Sequence, residues 1–168
     1  FSMMEGTYSM LANARFGLGQ REVGYLFAFI GILIVIYQAG LVRVVSKRIP
    51  ERTALWIGLA LMAGFMPLLA SAPWMWPFTL LMIPLAWGSG MNNTASSALA
   101  SQLTPPEEQG GLFGVLGAVM GLGRIAGPAI GNLVFAKWGY VATYWTAAAT
   151  VGLGLLLALK LPRPRVED

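Results

Sequence analysis

GGLFGVLGAVMGLGRIAGPAIGNLVFA, residues 110–136, is a long apolar stretch with glycine at short intervals. On a helix, at about 100° per residue, one face about a third of the circumference wide collects Gly110, Gly114, Gly117, Gly121, Arg124, Pro128 and Gly131. Glycine costs a soluble helix about 1 kcal/mol per residue relative to alanine, but in lipid it lets two helix backbones approach closely. The stretch therefore predicts a membrane helix packed closely against a neighbour, and we include Gly127 in this packing surface.

Two members of this face are not glycine. Arg124 is a permanent cation in a stretch too apolar to be a loop, so we expect it to lie at membrane depth. Pro128, four residues later, lacks the N–H that would bond the Arg124 carbonyl. We therefore expect a local bend at Pro128 that serves as a hinge.

Composition excludes most soluble functions. Hydrophobic residues make up 57% and charged residues 11% of the chain, and no charge occurs from Thr53 to Pro106. That interval exceeds two bilayer crossings of about 20 residues each, which predicts an integral membrane protein. There is no cysteine or histidine and no pair of carboxylates arranged for acid and base work, so we expect neither an enzyme nor a catalytic residue, metal or cofactor. The basic residues cluster at the ends of the apolar stretches, where membrane topology explains them, so we expect no nucleic-acid partner.

Apolar stretches separated by polar turns predict an all-α bundle of six transmembrane helices, at about 1–16, 23–45, 53–71, 78–100, 110–136 and 140–161. The first is short for a full crossing, so we expect a truncated helix with further chain upstream. With both ends in the cytoplasm, the inner segments would carry Arg43, Lys47, Arg48, Arg52, Lys160, Arg163 and Arg165, and the outer ones only Arg15, Arg21 and Lys137. This asymmetry predicts a cytoplasmic C-terminus.

Polar side chains share one face of two of these predicted helices. The face in the first helix carries Ser2, Glu5, Tyr8, Ser9 and Asn13, and an arc of about 140° in the fourth carries Ser89, Asn92, Asn93, Ser96 and Ser97. Lipid does not tolerate such faces, so they are expected to line a substrate path or to bond neighbouring helices, at about 0.6 kcal/mol per interhelical bond. Candidates for the apolar part of a pocket are Tyr8, Met10, Phe27, Tyr37, Trp87 and Met91.

Glu5 and Arg124 are the two charges that the predicted spans bury. Counted back from the outer ends of their helices, both lie roughly 17–18 Å deep at 1.5 Å per residue, near the middle of a hydrocarbon core about 30 Å thick. We interpret Glu5 as a proton-coupling carboxylate that Arg124 modulates; the alternative is a static ion pair, or two unrelated charges.

A dinucleotide-binding fingerprint is only apparent. The run from Gly121 to Ala126 matches G-x-G-x-x-A, but it lies inside a predicted membrane helix and does not follow a strand. The acidic residue expected about 20 positions later is also missing. Helix packing explains these glycines.

Two segments resemble a known family. The loop GLVRVVSKRIPER, residues 40–52, and the run from Gln109 to Gly131 resemble the C-terminal half of a major facilitator superfamily transporter, close to the bacterial drug/proton antiporters that include tetracycline pumps. The loop resembles the family's basic gating motif at Gly40, Arg43, Lys47, Arg48 and Arg52, although that motif usually has aspartate where Lys47 stands and glycine where Pro50 stands. A solvated cytoplasmic loop is the alternative.

The resemblance implies helices seven to twelve of a twelve-helix fold. The first and fourth predicted helices would line a central cavity, the second and fifth would flank the missing N-terminal half, and the third and sixth would face lipid. The function implied is proton-coupled export of small amphipathic compounds or drugs by alternating access in a bacterial inner membrane, as in multidrug resistance. Alternatives are a facilitator or importer of sugars or organic anions, and a non-transporting scaffold or receptor half.

Overall fold

The computed structural model describes residues 1–41 and 48–160. These residues contain no strand, which confirms the all-α prediction. The α-helices are α1 (Ser2–Phe16), α2 (Gln20–Ile36), α3 (Glu51–Ser71), α4 (Met75–Gln102) and α5 (Gln109–Leu159), with a π-helical turn at Tyr37–Leu41 and a 3-10 turn at Pro106–Glu108. The second predicted span thus changes to π geometry after Ile36, and residues 42–47 lie outside the described part.

Helix α5 has one interior break in its dihedral angles, at Gly139, where φ is 78° and ψ is 178°. A positive φ at this residue is strained for any side chain, which explains the glycine. We call 109–138 the first arm of α5 and 140–159 the second arm. They correspond to the fifth and sixth predicted helices, which are joined by a single residue instead of a loop.

Among the residues that the structure describes, three helical segments are long and apolar enough to cross a membrane: Gln20–Gly40, Glu51–Ser71 and Pro106–Leu159. The last has 54 residues and contains the break at Gly139, so it is long enough for two crossings. Helix α1, with 15 residues, is short for a crossing, and α4 carries the polar arc that lowers its hydropathy. The division of the chain into six crossings stays a prediction.

Helix α3 is the centre of the bundle. It pairs with α4 as a hairpin and lies antiparallel to the second arm of α5, while α1 packs against the first arm. Two buried clusters fill the interior. The larger contains Met4, Tyr8, Met62, Met66, Phe78, Met82 and Tyr144, and the smaller contains Tyr37, Ala54, Leu55, Met91, Leu99 and Ala158.

Within the described bundle, Arg15 and Arg52 each bond the C-terminal end of another helix. The Arg15 guanidinium donates to the carbonyl of Ala70, at the end of α3, and lies 5.5 Å from the centre of the Tyr140 ring. At the opposite end of the hairpin, Arg52 donates to the carbonyl of Leu159 at 2.9 Å. The last carbonyls of a helix lack partners within it, and a cation there interacts favourably with the helix dipole. Both contacts therefore hold α3 in place within the bundle.

Candidate functional site

A small apolar pocket lies between α1, α2 and α4, with a cavity of about 40 Å³. Its wall consists of Phe1, Met4, Glu5, Tyr8, Phe27, Ile30, Ile34, Met82, Leu85 and Ala86. Glu5 is the only charged side chain in this wall. Ligand pockets that enclose a drug-sized molecule measure about 300–1,000 Å³, so these residues form at most one wall of such a site.

Tyr8 is the centre of the pocket's aromatic wall. Its ring stacks on Phe78 with centroids 5.2 Å apart and meets the edge of Phe27 at 5.4 Å. The side chain is 1% exposed, and its hydroxyl has no hydrogen-bond partner in the part of the chain described. A buried hydroxyl without a partner is costly, so a partner from elsewhere would be favourable.

The polar face of α1 divides in the structure. Tyr8 and Glu5 share the pocket, whereas Ser2 packs against Gly127 of the first arm. Ser9 and Asn13 are exposed, and Asn13 donates a 3.0 Å hydrogen bond to the Leu18 carbonyl beyond the end of α1. The amide of Asn13 therefore stabilises the turn that follows the helix. The position of Asn13 on the polar face of α1 does not reveal this hydrogen bond.

Four residues of the polar arc of α4 are predicted substrate-path residues, and none of them is in the pocket wall: Ser89, Asn92, Asn93 and Ser96. Helix α4 contributes Met82, Leu85 and Ala86 to the pocket wall, and Ser89 begins the next turn. Ser89 is buried, Asn93 is exposed, and Asn92 and Ser96 are half-buried. None of these four residues lines the described pocket that contains Glu5.

Glu5 and Arg124 are both exposed on the described bundle. Gly127 lies against Ser2 and Met3, and Gly131 lies against Met3 and Thr7, so α1 and the first arm run parallel. Arg124, one turn before Gly127, is then about 8 Å from the level of Glu5 along the helix axes, at 1.5 Å per residue. The sequence prediction placed both charges at one depth by counting back from Phe16 and from Ala136, whereas the first arm is helical as far as residue 138. Their role in proton coupling stays a prediction.

The glycine face of the first arm is packed at one end only. A Cβ added at Gly127 would lie 2.8 Å from the Met3 backbone nitrogen, and the Pro128 ring lies against Gly6 of α1. At Gly114, Gly117 and Gly121 the same test finds no atom within 4 Å in the described residues. The helical dihedrals continue through Pro128, because its fixed φ fits a helix, and the break lies at Gly139. The hinge role of Pro128 stays a prediction.

The predicted gating loop is described only in part. Arg43 and Lys47 lie outside the described residues, Gly40 belongs to the π-helical turn, and Arg48 is exposed. Arg52 bonds the end of α5, and its guanidinium lies 4.9 Å from the centre of the Trp56 ring. The Trp56 indole donates to the Ala158 carbonyl at 3.1 Å. Sequence patterns missed this contact because it joins segments more than 100 residues apart.

A helical bundle whose described part contains three segments long and apolar enough to cross a bilayer defines an α-helical integral membrane protein. Within the described residues, no group of three or more histidine, cysteine, aspartate or glutamate side chains could hold a metal ion.

The chain belongs to the Major Facilitator Superfamily, whose family model matches residues 1–168. This family consists of transporters and not enzymes, which confirms the prediction that the chain is not an enzyme.

The curated relatives agree with this membership. The chain is 33% identical over 150 residues to the tetracycline resistance protein, class C, of Escherichia coli, covering 87% of this chain and 37% of the relative. It is 28% identical over 154 residues to the class D protein of Salmonella ordonez, covering 90% and 39%. The major facilitator superfamily domain-containing protein 10 of Mus musculus is 26% identical over 164 residues, covering 98% and 36%. The chain thus spans little more than a third of the length of these relatives. No solved structure matches it.

Proposed function

We propose that this chain is the C-terminal six-helix half of a proton-coupled exporter of small amphipathic compounds, acting by alternating access in a bacterial inner membrane. The observation that carries the proposal is the pocket between α1, α2 and α4, an apolar and aromatic wall with Glu5 as its one carboxylate. Such a wall suits a compound with an apolar body and no negative charge. The names of several relatives, which are tetracycline resistance proteins, support export of a drug-like compound.

The exposed first arm of α5 supports the presence of a complementary half. Its open glycines and Arg124 share a face that no described residue covers at Gly114, Gly117 and Gly121. The relatives are more than twice as long as this chain, so they contain enough further sequence for a second bundle. We assign this face to contact with the N-terminal half, with protons and the substrate moving between the two halves.

Glu5 is the residue we assign to proton coupling. An ionised carboxylate is expensive at membrane depth, and such residues mark proton relays in transporters. Because Glu5 borders the pocket, protonation of Glu5 and binding of the substrate would occur at the same place and would compete. Arg124, about 8 Å away along the axes, would act on Glu5 through the field of its charge and not through a direct bond.

The test uses the full-length protein in proteoliposomes with an imposed pH gradient. Glu5→Gln keeps the shape of the side chain and removes its charge, so uphill efflux should stop while substrate exchange continues. Glu22→Gln, an exposed carboxylate in the first turn of α2, is the matched control and should pump normally. Uphill transport by the Glu5→Gln protein would rule out Glu5 as the coupling site, and absence of transport by the unaltered protein would favour a scaffold.

Importers of organic anions are a weaker alternative. A pocket for an anion needs a cation in its wall, and the described wall contains a carboxylate instead. Uptake of an anionic compound by the same proteoliposomes would reverse this preference.

A further inference from the structure

Helices α3 and α4 touch backbone to backbone at a pair of glycines. A Cβ added at Gly58 would lie 2.7 Å from the Gly88 carbonyl oxygen and 3.0 Å from the Asn92 backbone nitrogen. A Cβ added at Gly88 would lie 2.8 Å from the Gly58 carbonyl oxygen. Backbone atoms cannot move aside as the tip of a side chain can. Any larger residue at either position therefore forces the two helices apart.

A second contact holds α4 from another side. A Cβ added at Gly90 would lie 2.5 Å from the Tyr37 ring, so this ring rests directly on the α4 backbone. Gly88 and Gly90 point about 200° apart on a helix, and the polar arc of α4 projects between them. The turn that carries Ser89, Asn92 and Asn93 is thus supported on both flanks of its polar face.

The glycine crossing also lies between the two buried clusters. Met62 and Leu85 belong to the larger cluster on one side of it, and Leu55 and Met91 belong to the smaller cluster on the other. At the crossing itself the contact is made by backbone, so its geometry has little freedom to adjust through side-chain rotamers. The contact between Gly58 and Gly88 therefore fixes the axial position and the rotation of α4 relative to α3 at this level.

We propose that Gly58 and Gly88 are positioning residues of the transport site: their contact fixes the orientation of the polar arc of α4. The proposal rests on the proposed function, in which this arc lines the substrate path. It assigns to these glycines an effect on substrate recognition, in addition to their effect on packing. Neither glycine borders the pocket that contains Glu5.

The test places a thiol on the arc. The chain has no cysteine, so Asn93→Cys introduces its single thiol, and any cysteine in the rest of the full-length protein is replaced. The rate of reaction with a water-soluble maleimide is measured in membranes for Gly58→Ala, Gly88→Ala and the control Gly64→Ala. Gly64 is also on α3, and a Cβ there meets no described atom within 4 Å. We expect several-fold changes in the first two variants and none in the control.

A fold reporter separates positioning from unfolding. Ala12 of α1 is 0% exposed and takes no part in the α3–α4 crossing, so the thiol of a separate Ala12→Cys protein should stay unreactive in every folded variant. Unchanged reactivity of the arc thiol in folded Gly58→Ala and Gly88→Ala proteins would overturn the proposal. Reaction of the reporter thiol in both variants, but not with Gly64→Ala, would also overturn it, in favour of a purely structural contact.

Transport by the same glycine variants, without the introduced thiols, completes the test. We expect the KM for substrate in Gly58→Ala to rise several-fold while kcat changes less, because the arc is displaced and the rest of the bundle is retained. If the reactivity of the arc thiol shifts but Asn92→Ala and Asn93→Ala transport normally, the glycines position the arc, and the assignment of the arc to the substrate path is wrong. That result would leave the Glu5 experiment unaffected.

Discussion

Tyr8 and Tyr144 are both buried, but only Tyr8 borders the pocket, and the Tyr8 hydroxyl has no hydrogen-bond partner in the described residues. Removal of an unpaired buried hydroxyl is close to neutral for stability. If a substrate atom bonds the Tyr8 hydroxyl, Tyr8→Phe should raise the KM about threefold to tenfold, the equivalent of one hydrogen bond. Tyr144→Phe is the matched control and should leave the KM unchanged. Equal effects of the two variants in a transport assay would show that Tyr8 does not contact the substrate.

Arg52 belongs to the loop that sequence analysis linked to gating, and its observed partner is the last turn of α5. A cation at a helix C-terminus contributes up to about 1 kcal/mol, and stacking on Trp56 adds to this. Arg52→Ala should therefore lower the melting temperature of the full-length protein by a few degrees. Arg48→Ala, which removes an exposed arginine of the same loop, should not. If both variants melt as the unaltered protein does, the bond to Leu159 adds nothing to stability.

At the scale of helices, the first arm of α5 has one packed end and one open end. Gly127 and Gly131 meet α1, whereas Gly117 has open space around it in the described residues. Gly117→Leu is therefore compatible with the bundle itself but would collide with a helix of the proposed N-terminal half. We expect this variant to lose transport in the full-length protein. Gly154→Leu is the control, because a Cβ at Gly154 also meets no described atom and we expect this side of the second arm to face lipid. Normal transport by Gly117→Leu would place that face in lipid.

Helix positions were more predictable than helix contacts. Uncharged stretches bounded by charges, prolines and polar turns predict where helices begin and end, because the bilayer sets a minimum length for a crossing. The pairing of Gly58 with Gly88 could not be predicted, since the chain has 21 glycines and no period shows which two will meet. The pocket was predicted in part: the polar face of α1 singled out Glu5 and Tyr8, but Ser9 and Asn13 shared that face and lie outside the pocket wall.

For the molecule as a whole, the described bundle has a firmly bonded side and an open side. Helix α3 is tied at its end by Arg15 and at its start to the second arm through Arg52 and Trp56. The first arm contacts α1 near Gly127 and leaves most of its other residues exposed. If the proposed halves move against each other, we expect the bonded side to move as one body and the open side to contribute the moving interface.

The junction at Gly139 has a practical consequence for labelling the protein. One residue with a positive φ joins the two arms, so this junction offers no loop in which an inserted peptide could be displayed. An epitope tag or fluorescent protein inserted there would have to separate the two arms, which reverse direction at the single residue Gly139. The link between Ser71 and Met75 is longer and carries exposed Pro73 and Trp74, which makes it the better position for a tag at the same end of the α3–α4 hairpin.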